Sequence, residues 1–337
     1  MSTKQMNADL FEEGASEQPA EGPRNVHRGK NLLNDLDTRE WLLATKSIWY
    51  HELGDLRVPA LERLADALRR QLGDEETEEL LGQLYDSIAV SRAPTRDSLK
   101  SQHPATYPEG DIENLIRFFT KAGDVVLDPF LGSGSTLVAA RNTGRHGLGI
   151  EVVPRWAELA RQRLGDQLPL FQDASRADVL LGDSRTLLAD ISAESFDFIV
   201  TSPPYWSVLN KPADHKVKRE RLNKNLPTNY SEADDDLANV GSYDDFLSAL
   251  SDVFRQCHRV LRMGRYIAVV VSDFRDKSTF VMYHADVARL LESLGFQLSG
   301  ITILVQDSKT LYPYGMPYAF VSNIHHQYVL ILRKPRI

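Results

Sequence analysis

The sequence predicts a doubly wound α/β fold, a mostly parallel sheet of seven strands flanked by helices, with an α-helical region ahead of it. Three observations predict this. Apolar runs with the character of buried strands (DVVLDPF, HGLGIEV, ADVLLGD and FDFIVTSPP) follow one another from about Gly110 onward. Helical stretches such as STLVAARNTG and PRWAELARQRL separate them, and such strand–helix–strand alternation implies parallel pairing through right-handed crossovers. The C-terminal part then supplies RYIAVVVSD and two last strands, FQLSGITILVQ and HQYVLILRK, which end the sheet in a hairpin-like pair.

Taken in order, residues 1–30 (with EEGASEQPAEGPRN) hold few large apolar side chains, too few to offset the entropy of ordering, and read as a flexible tail. Residues 31–100 read as a helical N-terminal region. Leu56, Val58, Leu61, Leu64, Ala65 and Leu68 recur mostly at three- and four-residue steps there, and ETEELLGQLYDSI continues the pattern. The α/β unit occupies 101–337 and is interrupted at 207–242 by a polar insert. After the insert, helices YDDFLSALSDVFRQCHRVL and FVMYHADVARLLESLG alternate with the last three strands. No internal repeat is present.

The chain has 337 residues and a formal net charge of −8. That acidity argues against indiscriminate coating of nucleic acid. A local basic groove remains compatible with it, because a phosphate contact feels charge only within about 10 Å at moderate salt. Cys257, the single cysteine, excludes an internal disulfide and a thiolate metal cluster. No run approaches the roughly 20 apolar residues of a membrane helix, and MSTKQMNADLFEEGASEQ lacks the layout of a signal peptide. The expectation is a soluble cytoplasmic protein with no membrane partner.

In DVVLDPFLGSGSTLVAA a strand ends at Asp128, a Gly-Ser-Gly turn follows, and a helix starts at about Ser135. Ligands of open α/β sheets bind at the carboxyl ends of strands, near the switch in strand order. Gly132 and Gly134 permit close backbone approach or positive φ, and the helix start offers free N–H groups to an anion. Alone, the pattern fits a tight strand–helix turn equally well. It is not a P-loop, because no Gly-Lys-Ser/Thr follows, and it lacks the third glycine of a dinucleotide fingerprint. Glu151 ends the next strand and Asp183 the third. Glu151 either accepts from ribose hydroxyls or caps the helix that starts at Pro154. Three acidic strand ends in succession point to a nucleoside-bearing ligand.

FDFIVTSPPYW places Thr201, Ser202, Pro203, Pro204, Tyr205 and Trp206 at the end of the fourth strand. Consecutive prolines have fixed φ and no N–H, so they make a rigid extended turn with carbonyls left to accept hydrogen bonds. The turn suits a planar amine: Ser202 Oγ and the Pro203 carbonyl accept from an exocyclic NH₂ while Tyr205 stacks on its ring. An isolated Pro-Pro-Tyr can equally well stop a strand with its aromatics in the core; the glycine loop and acidic strand ends favour the site.

These residues resemble the amino-group DNA methyltransferases. The resemblance rests on DPFLGSGST at 128–136, GIEVVPRW at 149–156, LLGDS at 180–184 and TSPPYW at 201–206, with HPATYP at 103–108 and NIHHQYVLILRK at 323–334. It implies a Rossmann-like methyltransferase that moves methyl from S-adenosylmethionine to an exocyclic amine of a flipped base in double-stranded DNA. A restriction endonuclease is a partner this family allows. By that resemblance Asp128, Pro129, Phe130, Gly132, Ser133, Gly134 and Thr136 surround the methionine part of the cofactor, and the segment of His103 and Pro104 closes over it. Glu151 holds the ribose and Asp183 the adenine. Ser202, Pro203, Pro204 and Tyr205 hold the target base. Serine as first residue of the turn is similar to the cytosine-N4 branch, whereas Asp or Asn is the commoner adenine-N6 form. RNA or protein amide methylation stays open, because related turns serve there too. The reaction needs no covalent enzyme intermediate, and Cys257 lacks the preceding proline of a C5-cytosine nucleophile and reads as core.

Members with this motif order often carry a long recognition region after the last strand, and here the chain ends within a few residues of it. Sequence readout is then expected elsewhere: at Trp206 and the basic stretch Lys211, Lys216, Lys218, Arg219, Arg221 and Lys224, whose six cations face two acids and are suited to gripping phosphate, at QDSKTLYPYGMPYAFVSN, or in the N-terminal helices. The basic stretch reads equally well as a solvated loop. His325 and His326 have no third ligand at a supporting spacing, so no metal is expected.

Overall fold

The computed structural model describes residues 109–166, 175–206, 237–276, 278–306 and 319–336, with 33–36, 41, 45, 48–50, 69–70, 73–74 and 76–77 of the N-terminal region. The tail at 1–30 and most of the polar insert lie outside the described residues. No helix among them is long and apolar enough to cross a membrane.

The described strands are β1 (Ile48–Tyr50), β2 (Val125–Asp128), β3 (His146–Glu151), β4 (Ala177–Leu181), β5 (Phe196–Thr201), β6 (Leu261–Val271), β7 (Phe274–Asp276), β8 (Thr279–Val281), β9 (Gln297–Val305) and β10 (His326–Arg333). The main helices are α1 (Glu109–Phe119), α2 (Ser135–Asn142), α3 (Pro154–Asp166), the single turn α4 (Ser184–Leu187), α5 (Tyr243–Val260) and α6 (Tyr283–Ser293). The sheet runs β1-β9-β10-β6-β5-β2-β3-β4. Every neighbouring pair is parallel except those of β10, which is antiparallel to both β6 and β9.

Seven of these eight strands are the expected ones. The eighth, β1, comes from the region read as helical and pairs in parallel with β9, Ile48 opposite Ile303. A second departure is the hairpin of β7 and β8, where Phe274 pairs with Val281. It takes residues 280 and 281, assigned in sequence to the helix, so α6 begins at Tyr283.

Side chains of the central strands alternate between two cores, as the period-two geometry of a strand requires. Val125, Leu127, Phe196, Ile199, Ile267 and Val269 pack with Phe246, Leu250, Val253 and Phe254 of α5 and Val287 and Leu291 of α6. Val126, Phe198, Val200, Ala268 and Val270 face Ile112, Leu115, Ile116 and Phe119 of α1 and Ala139 and Ala140 of α2. Both faces are covered, which is why these strands read as continuous apolar runs. Between β2 and β5 the chain order reverses: β3 and β4 extend one way, β6 and the last strands the other. Loops after β2 and β5 therefore flank the crevice where such sheets bind ligands. Gly149 of β3 lets the first loop lie low over the sheet, since a Cβ there would fall 2.6 Å from both Leu131 methyls.

Candidate functional site

β2 delivers Asp128 to the carboxyl edge, fully buried. Its Oδ1 accepts from Phe130 N at 3.0 Å and Thr201 Oγ1 at 2.6 Å, and its Oδ2 from Thr136 Oγ1 at 2.5 Å. The carboxylate thus ties three places together: the start of the glycine loop, the first turn of α2, and the last residue of β5. Gly134 caps α2 at φ 86°, and a Cβ there would meet Ala160 Cβ at 2.9 Å. Only glycine supplies both the left-handed conformation and that clearance. Pro129, Ser133, Gly134 and Thr136 are buried, whereas Phe130 and Gly132 keep partial exposure.

Glu151, at the end of β3, is turned toward this loop. Its Oε2 accepts from Gly132 N and its Oε1 from Val153 N, each at 2.8 Å. Asp183 stands at the sheet edge beyond β4, and its Oδ1 caps α4 by accepting from Arg185 N at 2.8 Å. The Arg185 guanidinium also pairs with it, Nη2 lying 2.6 Å from Oδ2. Ser184 donates its hydroxyl to the Pro129 carbonyl, joining this edge to the glycine loop.

The second loop follows β5. Pro203 is buried and Ser202, Pro204 and Tyr205 are half-buried. Tyr283, first residue of α6, donates its hydroxyl to the Pro204 carbonyl at 3.0 Å and packs edge-on against Tyr205, centroids 5.9 Å apart. Gln327 of β10 donates to the Tyr205 hydroxyl at 3.3 Å. Burial pushes the Tyr205 phenol above its ordinary range, against the opposing hydrogen bonds of Gln327 and Ser202, so the ring is neutral near pH 7. No donor among the described residues reaches the Pro203 carbonyl.

Trp206 holds a positive φ of 42°. Its indole N–H donates to the Val240 carbonyl at 2.9 Å and its ring lies 5.6 Å from Tyr243, contacts that fix this uncommon conformation. His103, Pro104, Lys211, Lys216, Lys218, Arg219, Arg221 and Lys224 lie outside the described residues. His326 Nε2 is 2.9 Å from the Tyr328 hydroxyl.

Sequence reasoning passed over Tyr283, Gln327 and the Asp273–His284 pair, in which His284 Nδ1 lies 2.7 Å from Asp273 Oδ1. Their partners are far along the chain, and no local motif marks them. Cys257 is fully buried in the α5 core. Burial, then the Asp128 charge, pushes its thiol far above the ordinary range. Since the thiolate is the reactive form, iodoacetamide should leave the native protein unmodified and add one group only after denaturation, as read by intact mass. Labelling of the native protein would contradict this.

A family model described as DNA methylase matches residues 17–162 and 196–336. Type II methyltransferase M2.DpnII of Streptococcus pneumoniae is 44% identical over 82 residues, covering 24% of this chain and 31% of that protein. Type II methyltransferase M.BglII of Bacillus subtilis is 28% identical over 149 residues, covering 43% of this chain and 40% of that protein. The chain thus spans less than half the length of either relative. Among solved structures, a SAM-dependent methyltransferase from Methanosarcina mazei aligns with TM-score 0.43 at 16% identity, over 68% of this chain and 98% of that one.

Proposed function

Because this chain belongs to the DNA methylase family, we propose that it is a site-specific DNA methyltransferase acting with S-adenosylmethionine on the exocyclic amine of a flipped base, cytosine N4. One observation carries the reading. Asp128 accepts hydrogen bonds from Thr136, behind the glycine loop, and from Thr201, directly before the Ser-Pro-Pro-Tyr turn. Two loops of different chemistry are thereby fixed side by side where the strand order reverses.

The donor and acceptor set fits the cofactor. Phe130 and Gly132 are the accessible part of the first loop. Glu151 and Asp183 stand at the ends of the next two strands, and a carboxylate oxygen accepts from more than one donor. Ribose hydroxyls and an adenine amine can therefore join the backbone N–H groups already bound there. When bound, S-adenosylmethionine supplies an electrophilic methyl group; the remaining work is positioning.

An exocyclic amine is a poor nucleophile because its lone pair is delocalised into the ring. Ser202 Oγ and the Pro203 carbonyl accept its N–H protons and so favour a tetrahedral nitrogen with its lone pair directed outward. The two prolines divide the labour: the Pro204 carbonyl is held by Tyr283 and anchors the turn, while the Pro203 carbonyl is left for substrate. Tyr205, its hydroxyl tethered by Gln327, offers ring surface to the base. Ser202 as first residue of the turn supports cytosine over adenine, and the cations between Lys211 and Lys224 support DNA as substrate.

Mass spectrometry of nucleosides from duplex DNA treated with the protein should detect N4-methylcytosine. N6-methyladenine in its place would reassign the base. Neither product on DNA, with labelled methyl appearing on tRNA or polypeptide, would overturn the substrate.

A further inference from the structure

Behind the glycine loop stands a buried ion pair that the proposed reaction does not use. Arg163 of α3 is 1% exposed and Glu109, the first residue of α1, is 5% exposed. Arg163 Nη2 meets Glu109 Oε1 at 2.5 Å. The other arm, Nη1, donates to the Ser133 carbonyl and lies 3.5 Å from Ser135 Oγ. Ser135 Oγ in turn donates to Glu109 Oε1 at 3.0 Å. One turn earlier on α3, Ala160 is the residue that crowds Gly134. Two helices thus close on the loop at Ser133 and Gly134, while Phe130 and Gly132 keep partial exposure.

We propose that Arg163 and Glu109 are positioning residues for the methyl donor, acting through the Ser133 carbonyl on the shape of the loop. The inference rests on the S-adenosylmethionine reading above. A peptide unit is planar, so holding the Ser133 carbonyl inward fixes the plane shared with Gly134 and with it the start of α2. Stability alone does not account for the pair. Taking two charges out of water costs about as much as their attraction returns, and apolar replacements of buried pairs are often neutral or better. What an apolar pair cannot supply is a donor to Ser133. The guanidinium fork serves that carbonyl and Glu109 at once, in two directions, which the single ammonium of lysine cannot reproduce.

The test compares Glu109→Gln/Arg163→Met and Arg163→Lys with the parent chain of 337 residues, measuring thermal unfolding and S-adenosylmethionine binding by calorimetry. The double variant removes both charges, keeps an acceptor for Ser135 and deletes the donor to Ser133. It should unfold within a few °C of the parent, yet bind the cofactor about tenfold more weakly, because the released Ser133 carbonyl lets the loop leave its binding shape. KM for the cofactor should rise with kcat at saturation unchanged. Arg163→Lys, with its charge retained, should be folded and also weakened. A folded variant of either kind that binds within about twofold of the parent overturns the proposal. A parent protein that binds no S-adenosylmethionine overturns the functional reading itself, and does so before any variant is compared.

Discussion

Asp128→Ala is expected to lower the melting temperature by about 10 °C and to abolish measurable cofactor binding. The buried carboxylate accepts from one backbone N–H and two threonine hydroxyls. Hydrogen bonds to a charged group contribute about 1.5–3 kcal/mol each. Because the three share one acceptor and are not additive, the expected cost is about 3–5 kcal/mol. For a domain of this size each kcal/mol moves the melting temperature by roughly 2–4 °C. Asp128→Asn should be milder, since a threonine hydroxyl can rotate to accept from the new amide. Differential scanning calorimetry of both variants checks the order. Equal stability of Asp128→Ala and the parent would show that this carboxylate does not fasten the two loops.

Ser202→Ala is expected to act in the opposite way, with stability kept and turnover lost. Ser202 is half-buried. Its removal leaves Tyr205 tied to Gln327, so the unfolding temperature should move by no more than about 2 °C, as for a change near the surface. Loss of one acceptor aimed at the reacting amine should lower kcat about 100-fold, the scale seen when a single preorganised hydrogen-bonding group is deleted from a reaction centre. Binding of S-adenosylmethionine should be unaltered. Steady-state methyl transfer to duplex DNA by both proteins decides this. Equal rates would favour a non-catalytic role for a methyltransferase-like fold.

Where the sequence was legible, the physics was local. Strands β2, β3 and β5 are apolar runs buried on both faces, and the glycine loop and proline turn are marked by residues adjacent in the chain. What escaped reading depends on partners far away. Ile48–Tyr50 is a strand because β9, some 250 residues later, offers it a free edge. The start of α6 is delayed because Phe280 and Val281 pair across a hairpin with Arg275 and Phe274. Asp128 is marked by sequence as a neighbour of the ligand; that it also joins Thr136 and Thr201 is seen only in the fold. Arg163 and Glu109 are separated by 54 residues, and nothing in either neighbourhood announces their meeting.

The glycine at position 149 carries an evolutionary corollary. Because a methyl group there would strike both Leu131 methyls at 2.6 Å, the two positions form a size-matched couple across 17 intervening positions. A descendant that acquired alanine at 149 would have to turn or shrink the buried side chain at 131 in step, or lift the glycine loop away from the strand. Drift in the loop is thereby policed from the strand underneath.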